Sequence, residues 1–256
     1  MIEAVVFDLD GVLVDSEQLW DEARRDVAAR HGGRWHDRAT AAMQGMSSVE
    51  WSAYMHEALG VHLPPEQIAE LVADELLRRY AERLPLLPGA RQAVERVSVR
   101  WPLAVASSAN KKVIDAVLVL ARLEGCFTVT VSSEEVRRGK PAPDVYLEAA
   151  RRLHVAPRKC AAVEDSANGI RSGVAAGLHV MAIPNRTYPP PPAVLALADV
   201  VLGSLGEITE ETIDDLEWRN RVEARLDEQE EQSFPASDPH SDWAGPPVSP
   251  AVTAAG

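Results

Sequence analysis

Asp8 and Asp10 stand two residues apart in the run Asp8-Leu9-Asp10-Gly11, at the end of the apolar stretch Ala4-Val5-Val6-Phe7. Ser107 and Ser108 follow Leu103-Ala104-Val105-Ala106, and Glu164-Asp165 follow Cys160-Ala161-Ala162-Val163. Lys140 sits in a loop after a further apolar segment near 127–131. Short continuous apolar runs of this kind read as strands covered on both faces. If the strands are parallel, their C-terminal ends share one edge of a sheet, where open α/β sheets place their ligands. One site then holds four carboxylates, a hydroxyl and an ammonium. Carboxylates gathered so closely repel one another unless a cation sits among them, and a donor set made of hard oxygens suits Mg²⁺. A carboxylate nucleophile beside a metal and a lysine is equipped for phosphoryl transfer: the acid attacks in line while the cations offset charge on the equatorial oxygens.

Each residue taken alone has a plainer reading. Asp8 or Asp10 could be a turn residue, Ser107 the N-cap of the helix that follows, Lys140 a surface charge. Glu164-Asp165 could be an acidic pair favoured by a helix macrodipole. Asn168 and Gly169 read as structural, and the seven histidines show no metal-ligand spacing. Trp20, Trp51 and Tyr54 read as packing residues.

The elements that must position these groups alternate along the chain. After the first strand, residues 16–84 carry helical signals and no convincing strand. Ser47-x-x-Glu50 is a capping box, after which Trp51, Tyr54, Met55 and Ala58 share a helix face. Pro64-Pro65 opens another helix, with Ala69, Val72, Ala73, Leu76, Leu77 and Tyr80 on one side. From residue 89 helices and strands alternate, with a last strand at Asp199–Leu202. This pattern predicts an α/β fold, a doubly wound parallel sheet of Rossmann-like order with right-handed crossovers, and an inserted all-helical cap. The expected division is a core of residues 1–14 and 87–205 and a cap of 15–86. An acidic helical extension at 206–231 and a disordered Pro-rich tail at 232–256 follow.

The formal net charge is −13 over 256 residues, unevenly spread. The balance is −3 up to Leu202 and −10 from Gly203 onward. Neither part has the basic stripe that a nucleic-acid binder needs, and the acidic run reads as a solvated tail. Two widely separated cysteines, Cys126 and Cys160, fit a reducing compartment. No segment resembles a signal peptide or a membrane span. The expectation is a cytoplasmic monomer acting on a small molecule.

Taken together, the motifs resemble those of the haloacid dehalogenase superfamily. Asp8-Leu9-Asp10-Gly11-Val12-Leu13-Val14-Asp15 looks like its first motif and Ala106-Ser107-Ser108 like its second. Arg138-Gly139-Lys140-Pro141-Ala142-Pro143-Asp144 looks like its third, and Val163-Glu164-Asp165-Ser166-Ala167-Asn168-Gly169-Ile170 like its fourth. A lone Asp-x-Asp is common by chance; four motifs in order over residues 1 to 205 are specific. The helical block between the first two is similar to the cap of relatives such as phosphoglycolate phosphatase and beta-phosphoglucomutase. The resemblance implies that Asp8 forms an aspartyl-phosphate, and that Asp10 protonates the leaving oxygen and then activates water. Ser107 and Ser108 would hold phosphoryl oxygens, and Lys140 both nucleophile and phosphoryl group. It also implies Mg²⁺ bound by Asp8, the main-chain carbonyl of Asp10, Glu164 and Asp165.

Within the family, Asp10 argues against dehalogenation, whose enzymes lack an acid at that place. Residues 16–84 contain no lysine, which argues against phosphonate cleavage through a cap imine. In the mutases a cap arginine holds a second phosphate. The similar stretch here is Gly45-Met46-Ser47-Ser48, with Ser48 at the arginine's place and Trp20 where those mutases carry a histidine. A serine lacks the bidentate charged grip that a phosphate wants. The expected function is therefore a Mg²⁺-dependent phosphatase of a small phosphorylated metabolite, with the loop Gln44–Ser48, Gly45 and Ser47 in particular, closing over the substrate. A phosphate-moving isomerase is the alternative, and a non-catalytic phospholigand binder a third reading.

Overall fold

Six strands form one parallel sheet in the order β3-β2-β1-β4-β5-β6, with β1 (Ala4–Phe7) in the middle. It pairs with β2 (Leu103–Ser107) on one side and β4 (Cys160–Glu164) on the other. The sheet is extended by β3 (Phe127–Ser132), β5 (His179–Ala182) and β6 (Val200–Val201), every neighbour parallel. The computed structural model describes residues 1–43 and 45–216, all within one compact unit.

Because successive side chains of a strand point to opposite faces, the apolar runs feed two cores. Val5, Phe7, Leu103, Val105, Ala161 and Val163 belong to one, and Ala4, Val6, Ala104, Ala106, Cys160 and Ala162 to the other. The first core is covered by α5 (Ala90–Ser98) and α6 (Lys111–Ala121), the second by α7 (Asp144–Leu153) and α8 (Ala167–Ala175). A sheet buried on both faces needs continuous apolar strands rather than alternating ones, which is how these strands read. A short helix, α9 (Pro192–Leu195), lies between β5 and β6.

Between β1 and α5 the chain builds four helices: α1 (Glu17–Arg30), α2 (Ala39–Met43), α3 (Ser48–Glu57) and α4 (Pro65–Glu82). Leaving and returning segments run side by side, Val14 bridging Leu86 antiparallel, with Asp15 N donating to Pro85 O at 2.8 Å. Trp20, Ala23 and Val27 of α1 pack with Ile68, Val72, Leu76 and Tyr80 of α4 in the same core that covers the sheet. Lys112 Nζ of α6 meets Asp74 of α4 at 2.7 Å, so the helical block also holds the sheet layer through a charge pair.

The start of the acidic segment is packed rather than solvated. Leu205, Ile208, Ile213 and Leu216 are buried, Arg96 of α5 donates to Ile208 O at 2.7 Å, and Arg100 pairs with Asp214 at 2.8 Å. The Pro-rich tail expected at 232–256, the part of the expected extension beyond 216, and Gln44 lie outside the described residues. Among the described residues no helix is long and apolar enough to cross a membrane, and Cys126 and Cys160 are free thiols.

Candidate functional site

The C-terminal ends of β1, β2 and β4 and the loop after β3 converge as the parallel order requires. Asp8 leaves β1 with its N–H donating to Val163 O at 3.0 Å. The chain then turns through Gly11 (φ +82), whose N–H donates to Val14 O at 2.8 Å. A Cβ at Gly11 would fall 1.9 Å from Asp165 Oδ2. Only glycine both accepts the left-handed backbone and lets the turn lie against that carboxylate.

Lys140 is 5% exposed and its Nζ donates to Asp8 Oδ1 at 2.7 Å and to Glu164 Oε1 at 2.5 Å. It also stands 4.9 Å from the Tyr146 ring centroid, and the Tyr146 hydroxyl donates to Glu164 Oε1 at 2.6 Å. Glu164 is fully buried and its other oxygen, Oε2, accepts from the N–H groups of Asp165 (3.1 Å) and Ser166 (3.4 Å) and from Ser166 Oγ (3.3 Å). A Cβ at Gly169 would overlap this carboxylate at 1.9 Å, so α8 can begin here only with glycine in its first turn. Both Glu164 oxygens are thus engaged by protein groups.

Asp8, Glu164 and Asp165 each offer a carboxylate oxygen within 4.8 Å of the others, all three buried. Three carboxylates face one ammonium, an excess of negative charge that fits a divalent, oxygen-liking cation. Protonation shows the same imbalance. Burial pushes the Asp8 carboxyl up to about 7, the Lys140 ammonium opposing that rise while Glu164 and Asp10 add to it. Burial, and then the neighbouring Glu164 and Asp8, hold Asp165 well above the usual carboxylate range. Lys140 pays its own desolvation, but Asp8 and Glu164 outweigh it and keep the ammonium charged beyond its ordinary range.

Asp10 faces elsewhere. Its Oδ1 accepts from Ser16 Oγ at 2.5 Å and from Trp20 Nε1 at 3.0 Å. Burial raises its pKa, and those two hydrogen bonds hold the rise back. Its carboxylate is outside the three-acid cluster but lines the same cavity as Asp8, Lys140 and Asp165. That cavity, about 500 Å³, also takes in Ser107, Ser108, Gly45 and Met46.

Ser107 is buried at the end of β2, and its Oγ accepts from Ala109 N at 3.0 Å, while α6 begins after Asn110. It is therefore not the helix cap. Ser47 is the cap of α3: its Oγ and N–H both meet Glu50 Oε2 at 2.8 Å. The cavity wall here is Gly45 and Met46, so Ser47 is spent on the helix start rather than aimed at a ligand. Gly45 O accepts from Asn168 Nδ2 at 3.3 Å, tying this loop to α8. Ser48, 1% exposed, turns away to donate to Glu134 at 3.4 Å.

Three site residues escape the sequence reading. Tyr146 reads as a core position of α7, beside Ala149 and Ala150. Asn185, which donates to Asp165 Oδ2 at 3.2 Å, lies in a loop with no periodic signal. Arg24 lines the cavity from α1; its spacing of four from Trp20 places both on one helix face, a signal present in the sequence.

The sequence matches the haloacid dehalogenase-like hydrolases over residues 2–177. It is 36% identical over 178 residues to the phosphorylated carbohydrates phosphatase of Thermotoga maritima, covering 69% of this chain and 82% of that one. It is 34% identical over 212 residues to hexitol phosphatase B of Escherichia coli strain K12, covering 81% and 95%. Among solved structures, CbbY from Rhodobacter sphaeroides, in complex with phosphate, superposes with a TM-score of 0.74 at 27% identity, over 84% of this chain and all of that one.

Proposed function

The chain belongs to the haloacid dehalogenase-like hydrolase family as a phosphoric monoester hydrolase, and we propose that it is a Mg²⁺-dependent phosphatase of a small sugar phosphate or similar ester, working through an aspartyl-phosphate. The observation that carries this reading is Asp8 at the cavity, gripped by Lys140 at 2.7 Å, with Asp10 on the same wall but outside the carboxylate cluster. Two carboxylates from one turn are thereby given different surroundings, as nucleophile and proton carrier require.

In this mechanism Asp8 attacks phosphorus and the P–O bond to the sugar breaks. The leaving oxygen takes the proton held on Asp10, whose raised pKa favours carrying one. Asp10 then removes a proton from water, which attacks the phosphorus of the aspartyl-phosphate and frees Asp8 and inorganic phosphate. Lys140 and Ser107 hold phosphoryl oxygens, with Ser108 at the rim. Asp8, Asp165 and the main-chain carbonyl of Asp10 would hold Mg²⁺, with Glu164 orienting Lys140 beside them. Bound there, the metal supplies positive charge against the phosphoryl oxygens. Residues 15–86 act as the cap that selects the substrate, with Gly45 and Met46 on its inner wall. The relatives named for carbohydrate and hexitol phosphates support this substrate class.

The relatives named phosphatases favour hydrolysis over phosphate migration within a sugar, and Ser48, which faces Glu134, supplies no charge at the place where the mutases carry their arginine. The test is phosphate release from a panel of sugar phosphates with Mg²⁺. Asp8→Asn should cost on the order of a thousandfold or more, and a chelator should abolish turnover. The proposal fails if wild type releases phosphate no faster than Asp8→Asn.

A further inference from the structure

The part of the cavity wall made by α1 and α3 carries a cation that the mechanism does not use. The Arg24 guanidinium carbon lies 5.1 Å from the Trp20 ring centroid and 5.0 Å from that of Trp51. The two ring centroids are 6.0 Å apart and tilted by 57°, so both rings pack against the guanidinium from one side. Its Nε is buried with no hydrogen-bond partner, and among the described residues no carboxylate closes on the guanidinium as an ion pair.

Arg25, Arg30 and Arg79 of the helical block are matched. Arg25 meets Asp21 at 2.6 Å, Arg30 meets Glu75 at 3.3 Å, and Arg79 meets both Glu22 and Asp26 at 2.5 Å. Asp10, close enough to be felt electrostatically, already takes Ser16 and Trp20 on Oδ1. Burial draws the Arg24 pKa down to about 10, with Glu17, Asp10 and Asp21 resisting the fall, so it stays charged at neutral pH. A guanidinium has five donors in a fixed fork suited to carboxylate or phosphate. Leaving it desolvated and unpaired is costly unless something else completes it. The stacking on two tryptophans fixes the fork before any ligand arrives, which lowers the ordering cost of binding.

We propose that Arg24 receives a second anionic group of the substrate, so that this enzyme takes phosphate esters bearing a further phosphate or carboxylate at the far end. This rests on the reading that the ester's phosphate lies at Asp8. Arg24 and Asp8 line one cavity of about 500 Å³, a volume that holds a phosphorylated sugar. The anion site stands on α1 rather than on the loop carrying Ser48, whose side chain is turned outward.

Calorimetric titration of the full chain in the Asp8→Asn background with Mg²⁺ tests this without turnover. The probes are fructose 1,6-bisphosphate, 6-phosphogluconate and fructose 6-phosphate. The first two should bind about tenfold or more tighter than the third. Arg24→Met, which keeps a stem against the rings, should erase most of that preference; Arg24→Lys should keep part of it. Whichever of the bisphosphate and the phosphorylated acid loses more identifies the anion. An unchanged preference in Arg24→Met, or no preference in the parent, overturns the proposal. In active enzyme, Arg24→Met should raise KM for the doubly anionic esters by a larger factor than KM for fructose 6-phosphate. Preference without phosphate release from any ester would remove the phosphatase reading and keep this one; release without preference would do the reverse.

Discussion

At the sheet edge Lys140 meets Asp8 at 2.7 Å and Glu164 at 2.5 Å, whereas Arg24, lining the same cavity from α1, meets two ring faces and, among the described residues, no ion-pair partner. Lys140 is buried, and Arg24 is partly buried with its Nε shut off from solvent. The lysine is bonded before substrate arrives, its carboxylates pulling its pKa up against burial, while burial pulls the arginine's down. The first arrangement fixes a nucleophile in place; the second keeps its donors available. A site that must hold its own machinery rigid and still recognise something absent needs both.

The comparison is broken hardest at Lys140. Lys140→Met leaves Asp8 and Glu164 buried without their cation, and removing one partner of a buried ion pair costs about 3–5 kcal/mol. Urea unfolding at neutral pH should show a loss of that size, shrinking as the pH falls and the carboxyls take up protons. A loss under about 1 kcal/mol would mean the network is not held by charge.

Magnesium sharpens the acidic end next. The Asp8 pKa of about 7 in the folded chain lies above the roughly 3.9 of an unfolded aspartate. Its contribution in the metal-free protein is therefore fully present below about pH 4 and is lost as pH rises through 7. A metal binds the deprotonated carboxylates and expels those protons, so its stabilisation grows over the same window. At a hundred times Kd it amounts to about 2.7 kcal/mol, or roughly 5–10 °C in Tm for a chain of this size. Thermal melts with MgCl₂ against NaCl of equal ionic strength should show the larger gain near pH 8 than near pH 5. Equal gains at both would place the metal elsewhere.

The two ends also differ in how far they can be read from the chain. Parallel strands send their C-terminal ends to one edge, so Asp8, Ser107 and Asp165 follow from apolar runs alone, and so do the six strands and their layers. Lys140 comes from a loop, so its place after an apolar segment brings it only roughly to that edge, and the resemblance its neighbours carry sharpens it. Glu164 and Asp165 look alike in sequence, but adjacent residues at a strand end point different ways: Glu164 is used up by Lys140, Tyr146 and main-chain N–H groups, and Asp165 is not. Ser47 carried two expectations, cap and ligand contact, that compete for one hydroxyl, and Glu50 wins it. Arg24 is harder. Its spacing of four from Trp20 marks a shared helix face, but only the phase of α1 against α3, a tertiary fact, brings that face to the cavity while Arg25 pairs with Asp21.

The smallest effect is expected at Arg24 itself, and its smallness is informative. If the guanidinium were a structural clasp between α1 and α3, truncating it would forfeit two cation–π contacts, each worth about 0.5–2 kcal/mol, with no compensation. If it is an unfinished anion site, the same change also removes a buried charge that lacks a bonded partner, which returns a comparable amount. Methionine keeps apolar volume and polarisable contact between Trp20 and Trp51. Arg24→Met should therefore shift the metal-free, ligand-free unfolding free energy by less than about 1 kcal/mol in either direction. A loss as large as that of Lys140→Met would make the two cations alike, each bonded for stability, and the contrast between the two ends of the cavity would disappear.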